Sequence, residues 1–550
     1  MTLAGTPHAA RAQDAVRAAA VRSGQDAKKV LTVPDYSRWR VIGDEAISSD
    51  AHWVAWVYRH TNVARDEEKP ELHILNLATN KDTAIADASS PVFSPDGRWI
   101  AFEVDSTAER GGRGRGGEGP GAPGAPSAGG RGNGRGPTVH HRMELRTLAT
   151  GDTRVWHDMQ SAVFSRDSKF VLLRDRPAPR SRRFGRFGGF FGGFGRGGGE
   201  PSSEGADAIL VDLTTGRSQL LGSVGDAAFN RAGDMLAYTV NAKVKDANGL
   251  FVVDLAKGIT QALDNDARIY GQMAWNDAGN GLAVLKGQDV PKKLQRDNVL
   301  LVVPDVRAAL VDPKLAPATL DTTASGFPDG WVISDRTPLT WSQDGKLVFL
   351  GAMPQEPAAD TAKVESSDST ANLDVWRTDD RYIQSVQMGR ASRDRNFSYR
   401  EAFDVGRKAY VALSDSTLRD IQISTDGRWA VGQDARAYIS DWKPSAADFY
   451  RVNTTTGQRT LMFKDQLTRG AMGIAPDSRT FLYWKDDQFH AYDLDAGKST
   501  TLGAGAPSFV DTLYRRPLRP VDVAPERRPG GEHHRRLRRE EPDHPPSRAH

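Results

Sequence analysis

Histidines and carboxylates that could bind a metal ion occur in four short clusters. His140-His141 and His533-His534 are adjacent pairs, and Asp66-Glu67-Glu68 and Asp486-Asp487 are acidic runs. Imidazole nitrogens and carboxylate oxygens are among the ligands that Zn²⁺ binds in proteins. Neither histidine pair has a partner at ligand spacing on a predicted rigid element, and acidic runs are common in solvated turns. We therefore predict no metal site and no bound cofactor.

Covalent or phosphoryl chemistry would need motifs that the sequence does not contain. There is no Gly-x-Ser-x-Gly, no His-Glu-x-x-His, no Walker loop, and no Gly-x-Gly-x-x-Gly between a strand and a helix. The chain has no cysteine, which excludes thiol catalysis, disulfides and cysteine-based metal sites. We predict no catalytic residue in these 550 residues.

Two glycine- and arginine-rich tracts suggest a nucleic-acid-binding arm. Residues 108–137 hold 13 glycines, and residues 176–200 hold nine glycines and five phenylalanines. Arginine can bind phosphate and phenylalanine can stack on bases. The net charge of the chain is +3, and these two tracts together with residues 515–550 contribute more positive charge than that. The rest of the chain is therefore mildly acidic, whereas a nucleic-acid-binding domain usually has a basic surface. We interpret both tracts as loop insertions that cannot bury a core, and we do not predict a nucleic-acid partner.

One phrase recurs eight times: an apolar residue, Ser or a substitute, any residue, Asp, a small residue, a polar residue and an apolar pair. Asp-Gly makes a tight turn because Gly tolerates a positive φ, and the flanking residues alternate as in strands, so each copy predicts a β-hairpin. The copies are ISSDAHWVAW (47–56), FSPDGRWIAF (93–102), FSRDSKFVLL (164–173), FNRAGDMLAY (229–238), WNDAGNGLAVL (275–285), WSQDGKLVFL (341–350), ISTDGRWAVG (423–432) and IAPDSRTFLYW (474–484).

A second phrase of the form strand, Thr/Ala-x-Gly turn, strand follows most copies. AILVDLTTGRSQLL (208–221) and LFVVDLAKGITQAL (250–263) are examples. Two hairpins for each repeat give four antiparallel strands, which is one blade of a β-propeller. We therefore predict an all-β propeller of four-stranded blades, with eight blades expected and seven possible. The tryptophans of the repeats are expected to pack between blades and not to hold a ligand.

The chain divides into three predicted parts. Residues 1–34 are either a short Ala-rich helix or the remnant of an export signal, residues 35–510 form the propeller, and residues 511–550 are a disordered tail rich in Arg and Pro. The tail is either a basic interaction segment or an out-of-frame translation of GC-rich DNA. No run of 18 apolar residues occurs, so we predict no membrane span.

The repeats resemble those of TolB-type and prolyl-oligopeptidase-type propellers. A second set of segments resembles bacterial members of the prolyl oligopeptidase/dipeptidyl peptidase IV family, and together the likeness covers about residues 35–510. Those segments are Leu373–Asp380, Gln384 and Gln387, Arg390–Arg395, Ile423–Gly432 and Ala437–Trp442.

This resemblance implies a serine peptidase in which the propeller restricts access of peptides to an α/β-hydrolase domain with a Ser-His-Asp triad. That domain follows the propeller and needs about 250 residues, whereas 40 follow residue 510 here. We therefore expect the substrate-gating propeller of an exported peptidase, periplasmic or secreted and otherwise cytoplasmic, which is inactive without its hydrolase domain. The paired-glutamate motif of dipeptidyl peptidases has no match, so exo- and endopeptidase action both stay open. The alternative is a free-standing TolB-like propeller that binds a protein or peptide partner.

Overall fold

Antiparallel β-strands make up most of the chain that the computed structural model describes. The described residues are 32, 36, 39–61, 69–107, 139–175, 204–312, 314–358, 380, 382–440, 443–503, 505, 510–511 and 516–517. The predicted N-terminal helix, both glycine-arginine tracts, Asp66-Glu67-Glu68 and His533-His534 lie outside them. The chain forms two compact units. Unit 1 comprises Met1–Trp341, Val348–Ala362 and Val405–Ala409, and unit 2 comprises Ser342–Leu347, Lys363–Asp404 and Tyr410–His550.

Within unit 1 the strands follow one another in antiparallel order. The sheets are β1 to β4, β5 to β8, a seven-stranded sheet from β9 to β15, β16 to β19, and β20 to β22, in which β20 and β21 both pair with β22. The bounds are β1 (Arg40–Ile47), β2 (Trp53–His60), β3 (Glu71–Asn76), β4 (Lys81–Ala86), β5 (Ala88–Phe93), β6 (Trp99–Thr107), β7 (Val139–Thr147), β8 (Thr153–His157), β9 (Met159–Phe164), β10 (Phe170–Asp175), β11 (Ala206–Asp212), β12 (Ser218–Phe229), β13 (Met235–Val240), β14 (Gly249–Asp254), β15 (Ile259–Asn265), β16 (Ile269–Trp275), β17 (Leu282–Gln288), β18 (Asp297–Val303), α1 (Val306–Val311), β19 (Ala318–Leu320), β20 (Trp331–Ser334), β21 (Thr340–Trp341) and β22 (Leu347–Pro354).

Unit 2 contains the longer helix and two complete four-stranded sheets. The sheets run from β25 to β28 and from β29 to β32, and β33 pairs with β34. The bounds are α2 (Gln384–Arg395), β23 (Tyr399–Asp404), β24 (Ala409–Val411), β25 (Asp420–Ile423), β26 (Trp429–Asp434), β27 (Ala446–Asn453), β28 (Arg459–Leu467), β29 (Ala471–Ile474), β30 (Thr480–Lys485), β31 (Gln488–Asp493), β32 (Lys498–Leu502), β33 (Val510–Asp511) and β34 (Arg516–Pro517). Neither helix has the length and apolarity that a membrane span needs in the described part of the chain.

The Ser and Asp of the recurring phrase close its turn with side-chain hydrogen bonds. Ser94 Oγ accepts from Trp99 N at 2.9 Å and donates to Asp96 Oδ1 at 2.6 Å, and the same carboxylate accepts from Arg98 N at 3.1 Å. Gly97 sits at φ +68°, the left-handed conformation that glycine adopts without strain. The same bonds recur around Ser165, Ser342 and Ser424, and in two other copies an asparagine replaces the serine. The phrase thus recurs because its Ser, Asp and Gly positions each take part in closing the turn.

Turns of successive repeats contact each other. Ser168 Oγ accepts from Asp96 N at 3.0 Å, and Ser478 Oγ accepts from Asp426 N at 2.9 Å. Both serines occupy the glycine position of the phrase and carry positive φ values of 59° and 60°. The bond to the preceding turn explains why a serine is tolerated in this strained conformation.

The apolar core lies between consecutive sheets. Leu72 of β3 is packed in one cluster with Ile100 and Phe102 of β6, and in unit 2 the rings of Phe449 and Phe481 are 5.8 Å apart. The predicted packing role of the tryptophans is confirmed where a repeat contacts the preceding one: the indole N–H groups of Trp275 and Trp341 donate to Ala228 O and Ala274 O, each at 3.0 Å.

The predicted fold class is confirmed: the chain is all-β and of the β-propeller type with four-stranded antiparallel blades. The number of blades stays a prediction. Three details differ from expectation. The repeats at 164 and 229 share one seven-stranded sheet because β12 continues from one into the next. Residues 304–330, which lie outside every copy of the phrase, include α1 and β19. The predicted strand-free tail contains β34, which pairs with β33.

We expect Ser168→Ala to lower the free energy of unfolding by about 1–2 kcal/mol, because it leaves the N–H of Asp96 without its acceptor and keeps the positive φ. Ser168→Gly also removes the acceptor but relieves the backbone strain by about 1 kcal/mol, so it is expected to be less harmful. Urea denaturation of both variants measures the difference. Equal losses would show that glycine relieves no backbone strain at this position, and no loss in either variant would show that the hydroxyl-to-turn bond contributes no stability.

Candidate functional site

Helix α2 lies inside the stretch that carries the family resemblance, and hydrogen bonds and ion pairs hold it on unit 2. Its first turn uses the carbonyl of Ile383, which accepts from Val386 N and Gln387 N, each at 3.0 Å. Near its end, Asp394 forms an ion pair with Arg419 at 2.9 Å, and the Arg419 guanidinium lies 3.9 Å from the ring centroid of Phe397. No α2 residue is buried. The helix is therefore a surface element with a fixed position.

A cleft of about 350 Å³ opens beside α2. Its lining is polar and comes from the helix and the residues just before it: Asp380, Tyr382, Gln387, Arg390 and Asp394. Gln387 Nε2 donates to the backbone carbonyl of Tyr382 at 2.7 Å, which ties the entry segment to the helix. The volume lies at the lower end of the range for small-ligand sites.

Arg390 is the residue in this cleft with unused hydrogen-bonding capacity. Its guanidinium lies 4.4 Å from the ring centroid of Tyr382, a cation–π distance. Its Nε is 3.9 Å from Asp394 Oδ2, which is too long for a hydrogen bond. That Nε is buried and has no hydrogen-bond partner among the described residues. A buried donor of this kind is satisfied when a ligand brings a carbonyl or carboxylate oxygen.

Strand β23, which follows α2 in the chain, carries a buried carboxyl group. Glu401 is 1% exposed, and its Oε2 accepts from Leu413 N at 2.6 Å. Burial raises the pKa of Glu401 to about 8, although hydrogen bonds from Leu413 N and from the Tyr410 hydroxyl, and the charge of Arg459, act in the opposite direction. The carboxyl is therefore mainly protonated at neutral pH.

Arg459 connects this buried group to the next sheet. Its guanidinium donates to Leu413 O at 3.1 Å and to Asp415 Oδ2 at 2.8 Å. The segment that supplies the N–H donor for Glu401 is therefore held by the first residue of β28. Because Glu401 is enclosed, we assign it a structural role and not a catalytic one.

The structure describes two of the acidic and histidine clusters that were considered as metal ligands in the sequence. Asp486 and Asp487 form the exposed two-residue turn between β30 and β31, at positive φ, as expected of solvated acids. His141 lies on β7, and its Nδ1 is 3.2 Å from Glu103 Oε1 and also bonded to Asp105 Oδ1. The inference that His141 has no partner at ligand spacing is therefore wrong, because its partners lie on β6, across the 108–137 insertion. No part of the sequence marks these partners without the strand pairing.

Four of the cleft residues belong to the segments that carry the family resemblance in the sequence: Asp380, Gln387, Arg390 and Asp394. Tyr382 and Glu401 were not singled out. The signal that could have identified Tyr382 and Arg390 is their spacing around the first turns of a helix, whereas the burial of Glu401 has no local signature in the sequence.

No protein-family model matches the chain, and no curated protein matches it. Among solved structures it is similar to the β-propeller domain of the Trilobed protease from Pyrococcus furiosus, with 10% identity, a TM-score of 0.30, and coverage of 78% of this chain and 97% of that one. The Pyrococcus horikoshii acylaminoacyl peptidase gives 10% identity, a TM-score of 0.30, and coverage of 83% and 57%. The chain is also similar to the Porphyromonas gingivalis dipeptidyl peptidase 4, with 12% identity, a TM-score of 0.36, and coverage of 77% of this chain and 52% of that one.

The chain thus spans 57% and 52% of the two whole peptidases. At these identities and TM-scores the fold class rests on the strand pairing of this chain itself. The four-stranded antiparallel sheets that the repeats predicted are confirmed by that strand pairing.

Proposed function

We propose that this chain is the substrate-gating propeller of a prolyl-oligopeptidase-like serine peptidase. The observation that carries the proposal is the buried, unsatisfied Nε of Arg390 in a polar cleft. This cleft is built by the stretch whose sequence resembles those peptidases. A peptide has the matching chemistry, since its backbone offers a carbonyl oxygen every residue.

The remaining cleft residues suit the same ligand. Asp380 and Asp394 contribute two carboxylates to the cleft lining, and Asp394 is also paired with Arg419. Carboxylates favour the ammonium group of a peptide N-terminus or of a basic side chain. Tyr382 supplies an aromatic face against which a peptide side chain can pack. The cleft therefore selects and orients peptide, and its lining, as far as the structure describes it, contains no serine, threonine or cysteine that could cleave one.

Cleavage belongs to the α/β-hydrolase domain that the resemblance implies. There a serine attacks the scissile carbonyl, a histidine takes the serine proton and returns it to the leaving amine, and backbone N–H groups hold the oxyanion. The propeller limits which peptides reach that serine. Export to the periplasm or the medium forms part of the same proposal.

The test begins with the DNA. We would sequence the gene from codon 500 onwards and translate all three frames. A Gly-x-Ser-x-Gly followed by Asp and His supports the peptidase, and the protein expressed with that region is expected to cleave proline-containing p-nitroanilide peptides. Absence of such a reading for about 800 bases, the coding length of one α/β domain, would contradict it and leave the free-standing peptide-binding propeller as the function.

We expect Arg390→Gln to weaken the binding of a short proline-containing peptide roughly 10-fold, because it removes one charged hydrogen-bond donor. Fluorescence anisotropy with a labelled peptide measures the affinity of the chain itself. Arg393→Gln is the matched control, since Arg393 is exposed on the same helix and does not line the cleft. Equal affinities for both variants would remove Arg390 from the site.

A further inference from the structure

Three potential metal ligands meet on the hairpin formed by β6 and β7. Asp105 of β6 lies directly across from His141 of β7, and Glu103 precedes Asp105 by two residues. In a strand, residues two apart point to the same face, and opposite residues have their Cβ atoms about 5 Å apart. The pairing register therefore places two carboxylates and one imidazole on one face of the sheet.

The distances among these groups fit shared coordination. The ligand atoms of Glu103, Asp105 and His141 all lie within 4.8 Å of one another. His141 Nδ1 is 3.2 Å from Glu103 Oε1, and Asp105 Oδ1 bonds to the same nitrogen. Metal–ligand bonds of about 2.0–2.2 Å place neighbouring ligand atoms roughly 3–3.6 Å apart. Small side-chain rotations are enough to admit an ion.

Burial and charge also favour a cation. The side chains of Glu103 and His141 are only 14% and 18% exposed, whereas Asp105 is 40% exposed. The cluster places two carboxyl groups in a partly desolvated place, where a divalent ion would compensate their charge. The exposed side of Asp105 leaves room for water to complete the coordination.

The backbone groups of Asp105 and His141 also form hydrogen bonds to residues outside the β6–β7 pair. Asp105 N donates to Asp87 O at 2.8 Å, and His141 O accepts from Asp158 N at 2.8 Å. The two strands are thus fixed by neighbouring residues as well as by each other. A rigid frame of this kind keeps ligands in place before the ion arrives.

We propose that Glu103, Asp105 and His141 bind a divalent first-row transition-metal ion. Mixed imidazole and carboxylate ligands suit Zn²⁺ and its neighbours in the series, whereas Ca²⁺ and Mg²⁺ prefer oxygen ligands alone. The site is independent of the peptide-binding cleft, so either proposal can fail without the other.

His73 offers a matched control. It is 14% exposed and also contacts two carboxylates, but Asp82 lies 2.8 Å from its Nδ1 and Glu71 lies 3.9 Å from its Nε2. Because the two acids lie at opposite nitrogens of the ring, one ion cannot bind both together with His73. His73→Ala removes a comparable histidine without removing a coordination site.

Isothermal titration of the whole chain with Zn²⁺ alone tests the proposal. We expect one saturable site, affinity at least about 10-fold weaker in Asp105→Asn and His141→Ala, and unchanged affinity in His73→Ala and in the tail variant His533→Ala/His534→Ala. Saturating Zn²⁺ is expected to raise the Tm of the wild type by roughly 5 °C, but not that of Asp105→Asn.

Three results would overturn the site. These are no saturable Zn²⁺ binding by the folded wild type, full affinity in both ligand variants, or Ca²⁺ binding that is equal in the wild type and in His141→Ala. If His141→Ala does not fold, the near-isosteric double variant Glu103→Gln/Asp105→Asn decides, with circular dichroism confirming its strand content.

Discussion

Glu401→Gln is expected to make the protein more stable than the wild type at pH 9 by on the order of 4 kcal/mol, and nearly equal to it at pH 5. The pKa of Glu401 is raised from 4.5 to about 8 by burial. Between these values the folded protein holds a proton that the unfolded chain has released, so the stability that Glu401 contributes is complete below about pH 4.5 and is lost as the pH rises through 8. Glutamine keeps the shape of the protonated acid and does not titrate.

Urea denaturation at several pH values between 5 and 9 measures this effect. Tyr410→Phe is the matched variant: it removes the hydroxyl that bonds to the carboxyl and keeps the carboxyl, so the downward slope of stability with pH remains. Parallel profiles for the wild type and Glu401→Gln across this range would show that Glu401 is ionised in the folded protein at neutral pH.

Gly457→Ala is expected to cost about 3 kcal/mol of stability. Gly457 closes the turn between β27 and β28 at φ +71°, and a Cβ there would lie 2.5 Å from the backbone oxygen of Ala412. Backbone cannot rotate away as a side chain can, so the segment must shift. Ala412 precedes Leu413, and the displacement therefore reaches the N–H that Glu401 accepts.

Gly258→Ala provides the comparison. Gly258 closes the equivalent turn between β14 and β15 at φ +67°, with the same bond of 2.8 Å to the residue four positions earlier, but a Cβ there meets nothing within 4 Å. This variant is expected to cost about 1 kcal/mol, from the backbone conformation alone. Thermal unfolding of both variants is the measurement. Equal losses would mean that the contact with Ala412 adds nothing.

The blades could be predicted from the sequence because each is made of local pairings. Ser94, Asp96 and Gly97 lie within four residues, and the bonds that close their turn join them to one another or to the next few residues. Their order in the chain is therefore visible as a repeated phrase, and so is the alternation of the strands beside it. Where no copy of the phrase occurs, as in residues 304–330, α1 and β19 were not predicted.

Contacts between distant residues were decided only by the tertiary structure. Glu103 and His141 are separated by the 108–137 insertion, and only the register of β6 on β7 brings them together. The pKa of Glu401 is raised because strands and loops bury its side chain, and the residues next to it in the sequence give no sign of this burial.

The repeat, the turn chemistry, the four-stranded blade and the resemblance to peptidase propellers could all be predicted from the sequence alone. The tertiary structure alone decided which carboxylates meet a histidine, which arginine keeps a buried donor, and which acid loses its charge. The reason is physical. Turn and strand preferences act over a few residues, whereas desolvation and coordination depend on groups brought together from distant parts of the chain.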